Sequence, residues 1–178
     1  NNTRIVLLDN RCVSSLRCRI TFSFCLCSML LLSALTVTQP TYASHVLQLT
    51  NGQGKTTQLS MTQLNAMPQF SISTCTPWTE QRHTFSGPKL SQVLAQAGIY
   101  SQRIEIQAIN GYQITLSPAD LSPYAPILAT EIDGKPMRIR DKGPLWLILP
   151  LDQYPVLHKS LFYAQMAWQI KSIRAVKD

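Results

Sequence analysis

The sequence predicts an α+β domain with a mixed β-sheet and a few short helices. Three observations lead there. Short alternating segments outnumber helical stretches and follow one another without a strand–helix–strand rhythm, which excludes an all-parallel sheet. Residues 103–108 alternate strictly and run into the hairpin turn Asn110-Gly111. Residues 145–149 are five consecutive apolar side chains between Pro144 and Pro150, as in a strand covered on both faces.

The elements follow in order. Residues 45–50 read as a first strand, the Asn51-Gly52-Gln53-Gly54 stretch as a turn and 56–59 as a second strand. Ser60 with Gln63 three residues on makes a capping box for a short helix. Met61, Leu64 and Met67 lie along one side of that helix, and Pro68 stops it. Residues 70–75 alternate again, and 76–86 read as a loop. The clearest helix is expected next. Ser86 is its N-cap, Pro88 lies in its first turn, Leu90, Val93, Leu94 and Ala97 form its stripe, and Gly98 ends it. After the hairpin, Tyr112, Ile114 and Leu116 share a face of the returning strand. Ser117 opens one helical turn, and 127–132 is a strand ended by Asp133-Gly134. A helical stretch near 159–163 and a strand over 168–176 close the chain.

The chain has 178 residues, 45% of them hydrophobic and 14% charged. Disordered and coiled-coil classes are excluded on that balance. Four of the five cysteines, Cys12, Cys18, Cys25 and Cys27, fall in the first 27 residues, and Cys75 stands alone. That distribution excludes a disulfide scaffold and a cysteine zinc site. Arg4, Arg11, Arg17 and Arg19 precede a mostly apolar run over 20–38, and Thr41-Tyr42-Ala43 follows it. These are the parts of a secretory signal peptide over 1–43, with an uncleaved membrane anchor as the rival reading. The expected domain is 44–178, periplasmic or secreted by a Sec-type route. Arg17 and Arg19 are split by Cys18, so the twin-arginine pair is absent. With four arginines assigned to the leader, the net +7 leaves a domain that is only mildly basic, and a nucleic-acid partner is not supported.

Few residues stand out chemically. Cys75 is a soft potential ligand or a small residue at a strand end. Trp78 has a face that can stack on a flat heterocycle, and Arg82 a fork that can hold a carboxylate or phosphate. In extended backbone Arg138 and Arg140 would share a face and hold an anion, unless they are a solvated hairpin surface. His45, His83 and His158 lack metal-ligand spacing.

Five motifs in order carry a resemblance. Phe85-Ser-Gly87-Pro-Lys-Leu90-Ser-Gln-Val-Leu94, Ala108-Ile-Asn-Gly-Tyr112, Ile127-Leu-Ala129, Gly134-Lys-Pro-Met137 and Gly143-Pro-Leu145 with Pro150 resemble the sulfite-oxidase-type molybdopterin-binding domain. In that family's enzymes a cysteine in the position of Cys75 ligates molybdenum. Thr76-Pro77-Trp78 departs from the enzymes' glycine- and arginine-containing run, and Trp146 stands where they carry arginine. Such exported enzymes take up cofactor before leaving by the twin-arginine route, which this leader does not match.

Asp141-Lys-Gly-Pro-Leu-Trp146 and Trp168-Gln-Ile-Lys-Ser-Ile173 resemble the short stand-alone exported members. For these the resemblance implies pterin as ligand, no catalysis, and relay to the periplasmic part of an inner-membrane signalling protein. It makes Trp78, Trp146 and Trp168 stacking residues. Asn110, Tyr112, Asp141 and Gln165 would meet the polar edge, and Arg82 or Lys142 an anionic tail. Two alternatives stay open: a molybdopterin-dependent oxidoreductase with Cys75 as metal ligand, and an interaction module without ligand.

Overall fold

The structure, a computed structural model, describes residues 44–101 and 103–176, so the leader lies outside the described residues. The largest sheet has five strands in the order β2-β1-β11-β5-β6: β1 (His45–Thr50), β2 (Thr56–Ser60), β5 (Ile104–Ala108), β6 (Gln113–Leu116) and β11 (Ile170–Ala175). β1 and β11 are parallel and the other pairs antiparallel, so the sheet is mixed as expected. A second sheet orders β3 (Gln69–Thr74), β4 (His83–Pro88), β8 (Glu131–Ile132) and β9 (Lys135–Pro136). β7 (Ile127–Ala129) and β10 (Trp146–Ile148) form an antiparallel pair.

Helix α1 (Met61–Ala66) carries the expected capping box: Ser60 Oγ accepts from the Gln63 amide, and Gln63 Oε1 from the Ser60 amide. Helix α2 (Leu90–Gln96) buries Leu90, Val93 and Leu94. It starts later than its sequence suggests. Ser86 and Pro88 belong to β4, and Lys89 is the N-cap. The Ser86 hydroxyl is used across the sheet, 3.0 Å from Ser71 Oγ, and its carbonyl accepts the Thr130 amide at 2.9 Å. The first helical amide, Leu90 N–H, donates to Pro126 O at 2.9 Å, and the Lys89 amide donates to Gln92 Oε1 at 3.2 Å. Helix α3 (Pro118–Leu121) is the expected single turn with Ser117 as its cap, and α4 is Ser160–Gln165.

Two further expectations are corrected. The stretch 127–132 is two strands in different sheets, with Thr130 at the crossing. Arg138 and Arg140 do not share an extended face, because Ile139–Asp141 is a 3-10 turn and both arginines turn toward the Asp141 carboxylate. The turn offers each arginine a neighbouring carboxylate, which an extended strand would not.

Residues 145–149 are buried throughout, as five apolar side chains between prolines require. Phe85 and Trp146 meet edge-to-face at 5.3 Å in the same core. Two glycines of the resembling motifs have a packing reason. A Cβ on Gly87 would run into Leu128 O, where β4 passes β7, and one on Gly143 into Met137 O.

Candidate functional site

Three separate stretches of chain meet at one cleft of about 170 Å³, lined by Trp78, Asn110, Tyr112, Tyr163, Ala164, Met166, Ala167 and Trp168. The loop after β3 brings Trp78. An ST-type turn holds it, with Thr76 Oγ1 accepting the Trp78 amide at 3.3 Å. The β5–β6 hairpin brings Asn110 and Tyr112. Asn110 Oδ1 accepts the Tyr112 amide at 3.0 Å, which locks the turn. Helix α4 and the segment after it bring the rest. The Tyr112 hydroxyl donates to Ala164 O at 2.9 Å and ties the hairpin to the helix end.

The aromatic wall is a cluster. Trp78 and Trp168 lie edge-to-face at 5.0 Å, and both approach Trp146, at 6.1 and 6.2 Å. Trp78 and Trp168 are half-buried, so each keeps open ring surface. Trp146 is fully buried, and its indole N–H donates to Met166 O at 3.0 Å. It therefore backs the wall and does not line the cleft. The ammonium of Lys142 sits 5.7 Å from the Trp146 ring and 5.8 Å from that of Trp168, a cation–π arrangement on the same cluster.

The other expected site residues are placed elsewhere. Arg82 is 2.8 Å from the Asp152 carboxylate. Asp141 is engaged by Arg138 and Arg140. Gln165 follows the lining residue Ala164, and its Oε1 is buried without a hydrogen-bond partner. Cys75 is exposed and does not line the cleft. Its backbone amide donates to both Asp152 oxygens, at 3.3 and 3.2 Å, while the Asp152 amide donates to Thr74 Oγ1 at 3.2 Å. Asp152 thus pins the end of β3, the segment that leads into Trp78.

Sequence reasoning missed Tyr163, Met166 and Asp152. Residues 159–168 carry no clean period, and the Asp152 contact joins segments 77 residues apart. The Tyr163 hydroxyl lies 3.1 Å from His158 Nδ1, so its polar end is occupied and its ring faces the cleft.

Every residue lining the cleft is uncharged. It is also small beside typical ligand pockets of about 300–1,000 Å³. Such a site has room for about one flat ring and presents no charge to hold an ion. Molybdenum cofactor does not fit these residues. Its dithiolene and phosphate are anionic and need paired cations when buried. The cleft lining offers none, Arg82 is held by Asp152, and Cys75, the one thiol among the described residues, stands outside. Among the described residues no group of three or more His, Cys, Asp or Glu side chains could hold a metal ion.

No family model matches this chain. No curated protein matches it either. Among solved structures it is similar to the sulfane dehydrogenase SoxCD from Paracoccus pantotrophus, with a TM-score of 0.58 and 13% identity. The match covers 74% of this chain and 38% of that one, so the chain spans under two fifths of that structure's length. The fold is sulfite-oxidase-like. At this identity the likeness concerns the fold, and the function has to be argued from the cleft.

Proposed function

We propose that this chain is an exported, non-enzymatic pterin-binding protein that reports its ligand to a membrane-bound signalling partner. One observation carries the reading: the neutral cleft that half-buried Trp78 and Trp168 line together with Asn110. A pterin is a flat bicycle with a polar edge. Indole surface covers its ring, and a fixed carboxamide pairs with its edge. The sulfite-oxidase-like fold supports the same ligand class, and the basic, apolar and small-residue order of 1–43 supports export.

No bond is made or broken in this function, and the chain's residues bind and orient. Trp168 and Trp78 exclude water from the ring faces. Tyr112 holds the hairpin and the end of α4 at a fixed separation. Lys142 and Trp146 support the wall from behind. The exposed Cys75 thiol takes no part.

Mass spectrometry of the small molecules released from protein purified out of its native compartment tests the reading, together with elemental analysis of the same sample. A pterin without molybdenum is expected. Stoichiometric molybdenum would overturn it in favour of an oxidoreductase.

A further inference from the structure

Two surface turns are tied together by one residue, Gln169. Its carbonyl accepts from the Ile109 amide at 2.8 Å, and its amide donates to Lys142 O at 3.2 Å. Its side-chain Nε2 donates to Ile139 O at 2.7 Å. Gln169 and Lys142 both hold left-handed backbone, with φ of 54° and 68°. Residues with side chains keep that conformation only where their surroundings enforce it. The β5–β6 hairpin and the Ile139–Asp141 turn are therefore held side by side.

Both turns put apolar side chains into solvent. Ile109 is 47% exposed and Ile139 57%. Neither lines the cleft. Arg138 and Arg140 flank Ile139 with side chains 63% and 71% exposed, and Lys142 closes the turn. Within 138–142 these three cations meet one carboxylate, Asp141, and the hairpin stretch 108–113 has no charged residue. The two turns together keep a surplus of two positive charges. A protein partner would need an acidic surface with a pocket for each isoleucine. A bilayer interface takes in apolar tips at any spacing, while its phosphates meet long cationic side chains.

We propose that this face docks on the surface of a bilayer that carries anionic phospholipid. Ile109 and Ile139 enter the boundary between headgroups and acyl chains. Arg138, Arg140 and Lys142 stay at the phosphates, which suit the guanidinium fork. The inference does not depend on which ligand the cleft holds. Asn110 and Tyr112 belong to the docked hairpin, so docking brings the cleft beside the membrane.

The test is sedimentation of the exported protein, purified from its native compartment, with two kinds of vesicle. One is phosphatidylcholine alone, and the other adds about 30% phosphatidylglycerol to supply the negative surface. Wild type is compared with Ile139→Ser, Arg140→Gln and Lys55→Gln. Lys55 is the control for charge alone. Its turn joins β1 to β2 at the Thr50 end of the sheet, which pairs through Arg174 with Glu105, whereas the hairpin follows Ala108 at the other end. Wild type should bind the anionic vesicles at least about tenfold more tightly than the neutral ones, since each cation near such a surface is worth about fivefold. Ile139→Ser and Arg140→Gln should each lose about fivefold or more on anionic vesicles, with unchanged melting temperatures because both side chains stand in solvent. Lys55→Gln should match wild type. Equal affinity for the two vesicles, or a loss in Arg140→Gln that Lys55→Gln shares, overturns the docking face. Binding to neither vesicle overturns the membrane as its partner and assigns the face to an acidic protein surface. The pterin reading stands or falls separately, on what the cleft releases.

Discussion

The Tyr112 hydroxyl donates to the Ala164 carbonyl at 2.9 Å, and through that bond a hairpin turn and a helix end become two sides of one cleft. Neither side is anchored by charge, so the bond matters more to the cleft's shape than to the fold. Tyr112→Phe is expected to lower stability by only about 0.5–1.5 kcal/mol, the net value of a single hydrogen bond. Pterin affinity should fall by a few-fold or more, because the hairpin that carries Asn110 is no longer fixed against the end of α4. Paired denaturation and titration experiments check it. Unchanged affinity would show that the bond does not shape the site.

The three tryptophans should separate into two behaviours. Trp168→Leu removes open wall and is expected to abolish pterin binding while the chain stays folded. Trp146→Leu removes a buried ring and the donor to Met166 O. It is expected to cost about 3 kcal/mol, in the range of large core truncations. Urea unfolding of both variants distinguishes them, and equal stability losses would contradict the assignment of Trp146 to the core.

Gly87 and Gly52 form a matched pair for packing. A Cβ on Gly87 meets the Leu128 backbone, whereas one on Gly52 meets only Ser101 Oγ at an ordinary 3.9 Å. Gly87→Ala should cost about 3 kcal/mol, at the upper end of overpacking effects, because backbone cannot swing aside. Gly52→Ala should be near neutral. Thermal melts of the two decide it, and a tolerated Gly87→Ala would contradict the close approach of β4 and β7.

Stability should fall on the acid side through Asp133. The His83 side chain hydrogen-bonds its carboxylate at 2.6 Å, and the Thr84 amide donates to it at 2.9 Å. His83 first, then Thr84, hold the carboxyl below its ordinary 3.8. A carboxyl depressed in the folded state contributes stability above its unfolded value and loses it as the pH falls through the folded one. The contribution is therefore complete above about pH 5 and declines below 3.8. Wild type should lose more stability between pH 5 and pH 3 than Asp133→Asn does. Parallel losses in the two proteins would remove Asp133 from the acid response.

Much of the fold was legible because local rules and burial agree. The alternation of 103–108, the Asn110-Gly111 turn and the apolar run before Pro150 each name a strand or a turn without outside information. The start of α2 was not legible, because Ser86 is a good cap residue whose hydroxyl is claimed by Ser71 on the facing strand. Tertiary pairing outbid local preference there. In the site, Trp78, Asn110, Tyr112 and Trp168 were found from the resemblance and meet at one cleft. Sequence does not reveal that Asp152 pairs with Arg82, or that a 3-10 turn pairs Asp141 with Arg138. Tyr163 and Met166 lie on a short segment without a period, and only the folded chain brings them to the wall.

The central claim is that the aromatic cleft, and not the thiol, is the functional site. Tryptophan fluorescence of the purified wild type, Trp168→Leu and Cys75→Ser chains, titrated with a reduced pterin, tests it most directly. A saturable change at micromolar or lower pterin in wild type and in Cys75→Ser, absent in Trp168→Leu, is the result this account predicts. A wild type that gives no response through the micromolar range, or a response lost in Cys75→Ser and kept in Trp168→Leu, would contradict it.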